Sequence, residues 1–423
     1  MNTAPLARIF FLTIVSFLTL SFSLPFSEGD SPESFETYPV EKLFCGKKIT
    51  LRNDFYQISP GAKVSHDFNL TFSVKSPHAD YEVVNLPKLV KLLKEIPIIE
   101  DLKKKTMSDG AAEGVGDSIK GAGRGFALLA SHPVETSKNI GKAAGKLFKS
   151  TGRLFKPINQ KNVKKSSLKD KLLEGAKRDI ANKIGVDIYS SNPYLQEELE
   201  RVAKGQTGGR TAFSIVTFFI PVGLVGNIAM TASGVSEAAD QMANTKDADE
   251  LYDLNRKAFL EMGFGEKDIN SFLIENPYFN PREQTRVRFY LESLKAVKGW
   301  ETIFKQCAGS QSQSEADGLL LSLEMLVLQA EKRKDFSLIG TQDGILYAAN
   351  SRREGLVFLP YDFLFLNKEG QELVQKLIKV KEKLSARHLT AFNLGSVTSA
   401  MRSSLESSGI SVKDCLFGGE MSK

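Results

Sequence analysis

Three cysteines, four histidines and one tryptophan in 423 residues leave little material for several kinds of site. The cysteines, Cys45, Cys307 and Cys415, include no short-range pair, which excludes a disulfide scaffold. They allow one disulfide in an oxidising compartment without indicating which pair forms it. The histidines, at 66, 78, 132 and 388, never stand at the spacing of a helical metal pair, and His78 with Asp80 reads as a turn, so no metal site is expected. A serine nucleophile elbow is lacking, and Cys45 has no local signature of a catalytic thiol. The glycines between 114 and 125 do not supply a nucleotide loop. Gly121-Ala122-Gly123-Arg124-Gly125-Phe126 misses the third glycine of the dinucleotide fingerprint, and the glycines 116 and 121 are followed by Ala122 where a phosphate loop needs lysine. No cofactor is expected.

What is present is ordinary globular material, 42% apolar and 25% charged, with enough length for two or three domains. Arg8 followed by an apolar run over 9–20 and by Ser21-Phe22-Ser23 has the layout of a secretory signal cleaved after Ser23, with an uncleaved anchor extending through Leu24-Pro25-Phe26 as the other reading. The net charge of +6 is unevenly placed. Between Ser118 and Lys169 stand twelve Lys and Arg against one acid, Glu135, and the remainder of the chain is slightly acidic. A positive band of this kind suits an anionic partner such as lipid head groups, with nucleic acid not expected for an exported chain.

In chain order, residues 24–40 read as a flexible lead-in. A small β unit with a helix follows over 41–106: Phe68, Leu70, Phe72 and Val74 alternate with polar neighbours, a turn spans 76–80, and residues 81–84 return as the partner strand. Pro87 opens a helix with Leu89, Leu92, Leu93 and Ile96 on one face, and Pro97 is expected to interrupt it. Residues 107–170 combine a glycine-rich stretch with a basic amphipathic helix started at Pro133. There Lys138, Lys142, Lys146, Lys149, Arg153 and Lys156 edge an apolar face that includes Leu147, Phe148, Leu154 and Phe155. These ten residues are the candidate membrane-surface contact. A helical domain over 171–300 holds helices at 172–184 and from Pro193, then the uncharged run 211–236, read as two short buried helices broken at Pro221, with a membrane-inserted hairpin as the other reading. Three further helices over 246–298 are divided at Gly263 to Gly265, Asn276-Pro277 and Asn280-Pro281. An α/β domain over 301–416 and a tail at 417–423 complete an α+β, mostly helical fold. In that last domain a helix capped near Ser314 precedes apolar runs at 336–339, 345–349 and 356–359. Gln342-Asp343-Gly344 joins the first two runs, and a helix at 368–384, a run at 388–394, a helix opened by Ser396 and a strand at 410–412 follow.

The runs GVGDSIKGAGRG (114–125), HPVETSKNIGKAAGKLF (132–148), IGVDIYSSNPYLQEELERVA (184–203) and NPYFNPREQTRVRF (276–289) resemble those of a family of exported bacterial proteins. No activity is assigned to that family, so the resemblance implies export, to the periplasm or envelope or beyond the cell, and no reaction. It covers roughly residues 65–300. Three expectations result. The first is a non-enzymatic envelope protein whose basic segment lies on an anionic membrane surface. The second is a hydrolase or transferase working at Gly395-Ser396, where a strand end meets a helix start and backbone N–H groups can hold an anion. In the third, the basic segment packs internally as a helical pair against the 212–234 run.

Overall fold

The computed structural model describes residues 32–43, 49–108, 168–207 and 233–416, without the side chains of 104–108 and 168–170. Residues Glu33–Lys423 gather into one compact unit, and the fold is α+β and mostly helical. The expected leader, most of the glycine-rich and basic segment, and the apolar run up to residue 232 lie outside the described residues.

At the N-terminal end, β1 (Thr37–Pro39), a helical turn α1 (Val40–Leu43), β2 (Gln57–Ile58), β3 (Gly61–Val64), β4 (Leu70–Lys75) and β5 (Asp80–Val84) make one antiparallel sheet in which β4 pairs with β2, β3 and β5. The alternation in the sequence has its expected cause: Leu70, Phe72 and Val74 are buried while their neighbours are not, as one covered face requires. Ser76 closes the β4–β5 turn, its hydroxyl accepting from the Ala79 N–H at 3.1 Å.

The lead-in is not loose at its end. Residues 33–39 are fixed, with β1 paired to β3 through Thr37↔Lys63, Tyr38↔Ala62 and Pro39↔Gly61, and Phe35 set edge-on against Phe363 and Phe365. Its Ser, Pro and Glu composition read as flexible because the partners lie far along the chain.

A second difference concerns α2 (Leu86–Ser108), which runs unbroken through Pro97. Asn85 caps it, its side-chain oxygen accepting from the Lys88 N–H at 3.0 Å. The helix serves two cores. Leu86, Leu89, Leu93 and Ile96 pack with the small sheet, whereas Ile98, Ile99 and Leu102 pack with α3 (Leu168–Ile184) and α4 (Pro193–Thr207). Burial on both sides of the proline outweighs the hydrogen bond that its missing N–H forfeits, a cost of about 3 kcal/mol.

The middle of the chain continues with α5 (Gly234–Thr245), α6 (Ala248–Glu261), α7 (Glu266–Asn270) running into a π turn at Ser271–Glu275, α8 (Pro281–Leu294), α9 (Glu301–Gly309) and α10 (Gln313–Arg333). The expected Asn-Pro start at Asn280 is a full capping box with Glu283. α10 begins at a Ser312 cap, and α9 was not anticipated from the sequence.

The last part is a mixed sheet in the order β12-β10-β8-β7-β6, from β6 (Phe336–Gln342), β7 (Ile345–Asn350), β8 (Glu354–Leu359), β10 (His388–Asn393) and β12 (Ile410–Lys413). β9 (Phe363–Leu364), α11 (Lys368–Lys383), β11 (Ser396–Val397) and α12 (Ser399–Ser407) lie between them. Asp343 and Gly344, with φ of 51° and 81°, form the two-residue hairpin loop whose twist suits antiparallel strands. Both faces of this sheet are covered. Ile345, Tyr347, Val357, Leu359, Leu389 and Ala391 share a core with the N-terminal sheet, while Leu346, Ala348, Leu356, Phe358 and Phe392 face the middle helices. Double burial explains why these strands appear in the sequence as continuous apolar runs. It also joins the expected 41–106 and 301–416 units through one core. Among the described residues no helix is long and apolar enough to cross a membrane.

Candidate functional site

The ten candidate contact residues, Lys138, Lys142, Lys146, Leu147, Phe148, Lys149, Arg153, Leu154, Phe155 and Lys156, all lie outside the described residues. Gly395 and Ser396 are described, and their backbone donors are already used. The N–H groups of Leu394, Gly395 and Ser396 donate to the carbonyls of Leu359, Tyr361 and Asp362 at 3.0, 2.9 and 3.0 Å. A Cβ on Gly395 would stand 2.0 Å from the Asp362 carbonyl oxygen, so only glycine fits there. Ser396 does not open a helix. It pairs with Phe363 in the short β11–β9 ladder, and Thr398 is the cap of α12, its hydroxyl accepting from the Met401 N–H at 3.2 Å. The strand end is therefore closed by the protein's own backbone.

Of the described histidines, His78 has a buried partner. Its Nε2 lies 2.7 Å from Glu100 on α2, so the expected turn residue faces a carboxylate other than Asp80. Among the described residues no group of three or more His, Cys, Asp or Glu could hold a metal ion.

The strongest concentration of perturbed groups is a polar seam through the interior where α2, the 187–192 loop, α5, α8 and α10 meet. At one end Glu95 accepts from the Ser190 hydroxyl at 2.6 Å and from the Asn192 amide at 3.0 Å. Burial raises its pKa. One turn earlier on α2, Lys91 Nζ donates to Asp187 Oδ2 at 2.8 Å. Asp187 Oδ1 accepts from the Tyr189 N–H at 2.9 Å and lies 2.9 Å from Arg282 Nε. Burial opposes the Asp187 charge, but Lys91 and Arg282 together hold its carboxyl well below the usual carboxylate range.

Arg282 then reaches Asp240 on α5 at 3.3 Å and bonds the side-chain oxygen of Asn244. One helical turn on, Arg286 grips Asp240 with two parallel bonds of 2.8 and 2.7 Å, the geometry that a planar guanidinium favours. The seam ends in a hydroxyl cluster in which Ser236 Oγ lies 2.8 Å from both Ser233 Oγ and Tyr290 Oη and donates to Glu324 at 3.3 Å.

Beside it Glu283, in its capping box, accepts from the Asn280 N–H at 2.8 Å. Burial first, and then the neighbouring Asp317, push Glu283 up to about 7, and Asp317 in turn is paired with Lys88. Lys91, Arg282 and Arg286 pair with Asp187 and Asp240, while Glu95 and Glu324 are held by hydroxyls and, at Glu95, an amide. What the seam can do is hold four helices in register and exchange a proton near neutral pH at Glu283.

Sequence reasoning missed this seam, although Arg282 and Arg286 stand four apart on one helix face in a run already noted. The missing information was the identity of their partners. It also missed Asp362, which has no local signature. Asp362 is fully buried, and its two carboxylate oxygens accept from the Leu70 N–H at 3.0 Å and the Leu86 N–H at 2.9 Å. It thereby fixes the start of β4 and the start of α2 onto the C-terminal part. Burial pushes Asp362 up to about 7 against the opposing pull of those two donors.

The cysteine question is narrowed. Cys307 is free and fully buried, and burial raises its thiol, whereas Cys415 is disulfide-bonded. Cys45 lies outside the described residues. A thiol reagent should therefore find no reactive group in the native, unreduced protein and one in the same protein unfolded in denaturant. A second thiol on unfolding would contradict an intrachain bridge.

Comparison of the chain with protein-family models, with curated proteins and with solved structures found no match.

Proposed function

We propose that the protein is an exported envelope protein, related to the bacterial family its motifs resemble, that acts by binding and not by catalysis. In this reading residues 110–156 rest on an anionic lipid surface while the described fold serves as their rigid mount. The observation that carries it is the coincidence of twelve cations against one acid over 118–169 with the apolar residues Leu147, Phe148, Leu154 and Phe155 at helical spacing. Lysines near an anionic bilayer contribute about 1 kcal/mol each, and apolar side chains add to that by entering the head-group boundary. Binding is favoured over hydrolysis or transfer at Gly395-Ser396 because the backbone donors that would receive an anion there are spent on Leu359, Tyr361 and Asp362.

Flotation with vesicles containing phosphatidylglycerol, in low salt, tests this. The full chain should float with the vesicles, and replacing Lys142, Lys146, Lys149 and Arg153 with glutamate should abolish the association. Equal flotation of the two chains, or none by the parent, would overturn it.

A further inference from the structure

The segment 33–39 lies on the rest of the fold in the manner of a bound peptide. Glu33 and Phe35 are half-buried with Ser34 exposed between them, Glu36 and Thr37 are both exposed, and Tyr38 is half-buried again. Its main chain adds an edge strand to β3 through the β1 pairing, extended by the Val64 N–H donating to the Glu36 carbonyl at 3.0 Å. Its side chains fill two receptors. The Glu33 carboxylate accepts from the Leu366 N–H at 2.8 Å and from the Thr398 hydroxyl at 2.6 Å, while the Glu33 N–H donates back to the Leu366 carbonyl at 2.8 Å. Thr398 is the cap of α12, so a carboxylate is bound at a helix N-terminus, where the backbone dipoles favour it. Two residues on, the Phe35 ring stands 5.1 Å from Phe363 and 5.5 Å from Phe365, both edge-on.

Main-chain bonds for affinity, with separate receptors for alternate side chains, are the physical pattern by which a sheet edge recognises an extended peptide. We infer that the β3 edge, Leu366, Thr398, Phe363 and Phe365 form a recognition site for a partner's extended peptide carrying a carboxylate two residues before an aromatic ring, closed in this structure by the chain's own residues 33–39. Being tethered, that segment competes at an effective concentration on the order of millimolar, so a partner gains access once the segment is displaced or cut away.

The test uses the full chain with E33K and F35A, which empties both receptors and, by removing its two side-chain anchors, loosens the segment's hold on the β3 edge. The probe is a fluorescent peptide of residues 31–40. Saturable binding to E33K/F35A is expected, with binding to the parent weaker by a factor on the order of tenfold or more because the tethered segment competes. A peptide with alanine in place of Phe35, or glutamine in place of Glu33, should bind E33K/F35A more weakly than the unaltered one. Adding T398V to the opened chain should weaken the unaltered peptide and leave the Glu33→Gln peptide nearly unchanged, a selective effect that general loosening of the fold would not give. Failure of the peptide to bind a folded E33K/F35A chain, equal binding to opened and parent chains, or unfolding of E33K/F35A by circular dichroism would each overturn the inference. The last would mean that the segment is core and not ligand.

Discussion

Replacing Asp362 with alanine is expected to remove about 3–5 kcal/mol of stability, the cost of leaving two buried backbone N–H groups without their carboxyl acceptor. The donors are Leu70 at the start of β4 and Leu86 at the start of α2, and water cannot replace the carboxylate at a fully buried position. Asparagine should fall between, since its oxygen can serve one donor while its NH2 group confronts the other. The pH dependence has a definite sign. The folded-state pKa of Asp362 is raised, to about 7, above an unfolded value near 4, so the native state holds the proton more tightly. The corresponding stability is complete below about pH 4 and is lost as pH rises through about 7. Glu283, also pushed up to about 7, adds to the same trend. Denaturant melts at pH 5.5 and 8.5 should therefore show the parent more stable at the lower pH, with a smaller difference in D362A. A D362A chain as stable as the parent would show that the two N–H groups do not depend on this carboxylate.

Arg282→Met should cost on the order of 1.5–3 kcal/mol, because two partly buried carboxylates lose a charged partner they share, although Lys91 still reaches Asp187 and Arg286 still grips Asp240. Arg282 lies 2.9 Å from Asp187 and 3.3 Å from Asp240, and its side chain is only 11% exposed. Methionine keeps the hydrophobic length, so the loss reads the charge more than the packing. With D187N added the two losses should be less than additive, since the Arg282–Asp187 contact is lost only once; additive losses would contradict a direct coupling. Here the pH effect runs the other way. The Asp187 pKa is depressed, so its stabilisation is present above the unfolded value near 4 and is lost as pH falls toward the folded one. Without Arg282 that depression shrinks. The acid limb should then begin near pH 4 in both chains but be shallower and end at a higher pH in R282M than in the parent.

Local chemistry made much of the fold readable. β4 announced itself through Leu70, Phe72 and Val74 because one face is covered and the other is not. Asn280-Pro281 with Glu283 and the Asp343-Gly344 hairpin were readable because their bonds close within four residues. Elements whose reason lies elsewhere in the chain were not. Pro97 reads as a break until α2 is seen to be buried on both sides of it. Ser396 and Thr398 are both hydroxyl residues ahead of a helix, and the β11–β9 pairing decides that Thr398 is the cap. The nine residues of α9 follow Trp300, which makes no side-chain cap bond. Asp362 meets Leu70 across 292 positions, a separation over which no periodicity carries information. The basic segment was legible as charge and apolar spacing alone, and its ten residues fall outside the described structure.

The bond from Asp362 to the start of β4 has a consequence for how the chain is made. Contacts of such long sequence separation form late, since a large loop must close before they stabilise anything. The N-terminal sheet emerges first in synthesis but lacks its buried acceptor, and half of its core, until residues 345–410 have followed. An early stretch that cannot complete its fold alone stays unfolded while the rest is being made. That is the condition in which a chain can be threaded through a narrow channel, and here it follows from the order of the chain's own residues.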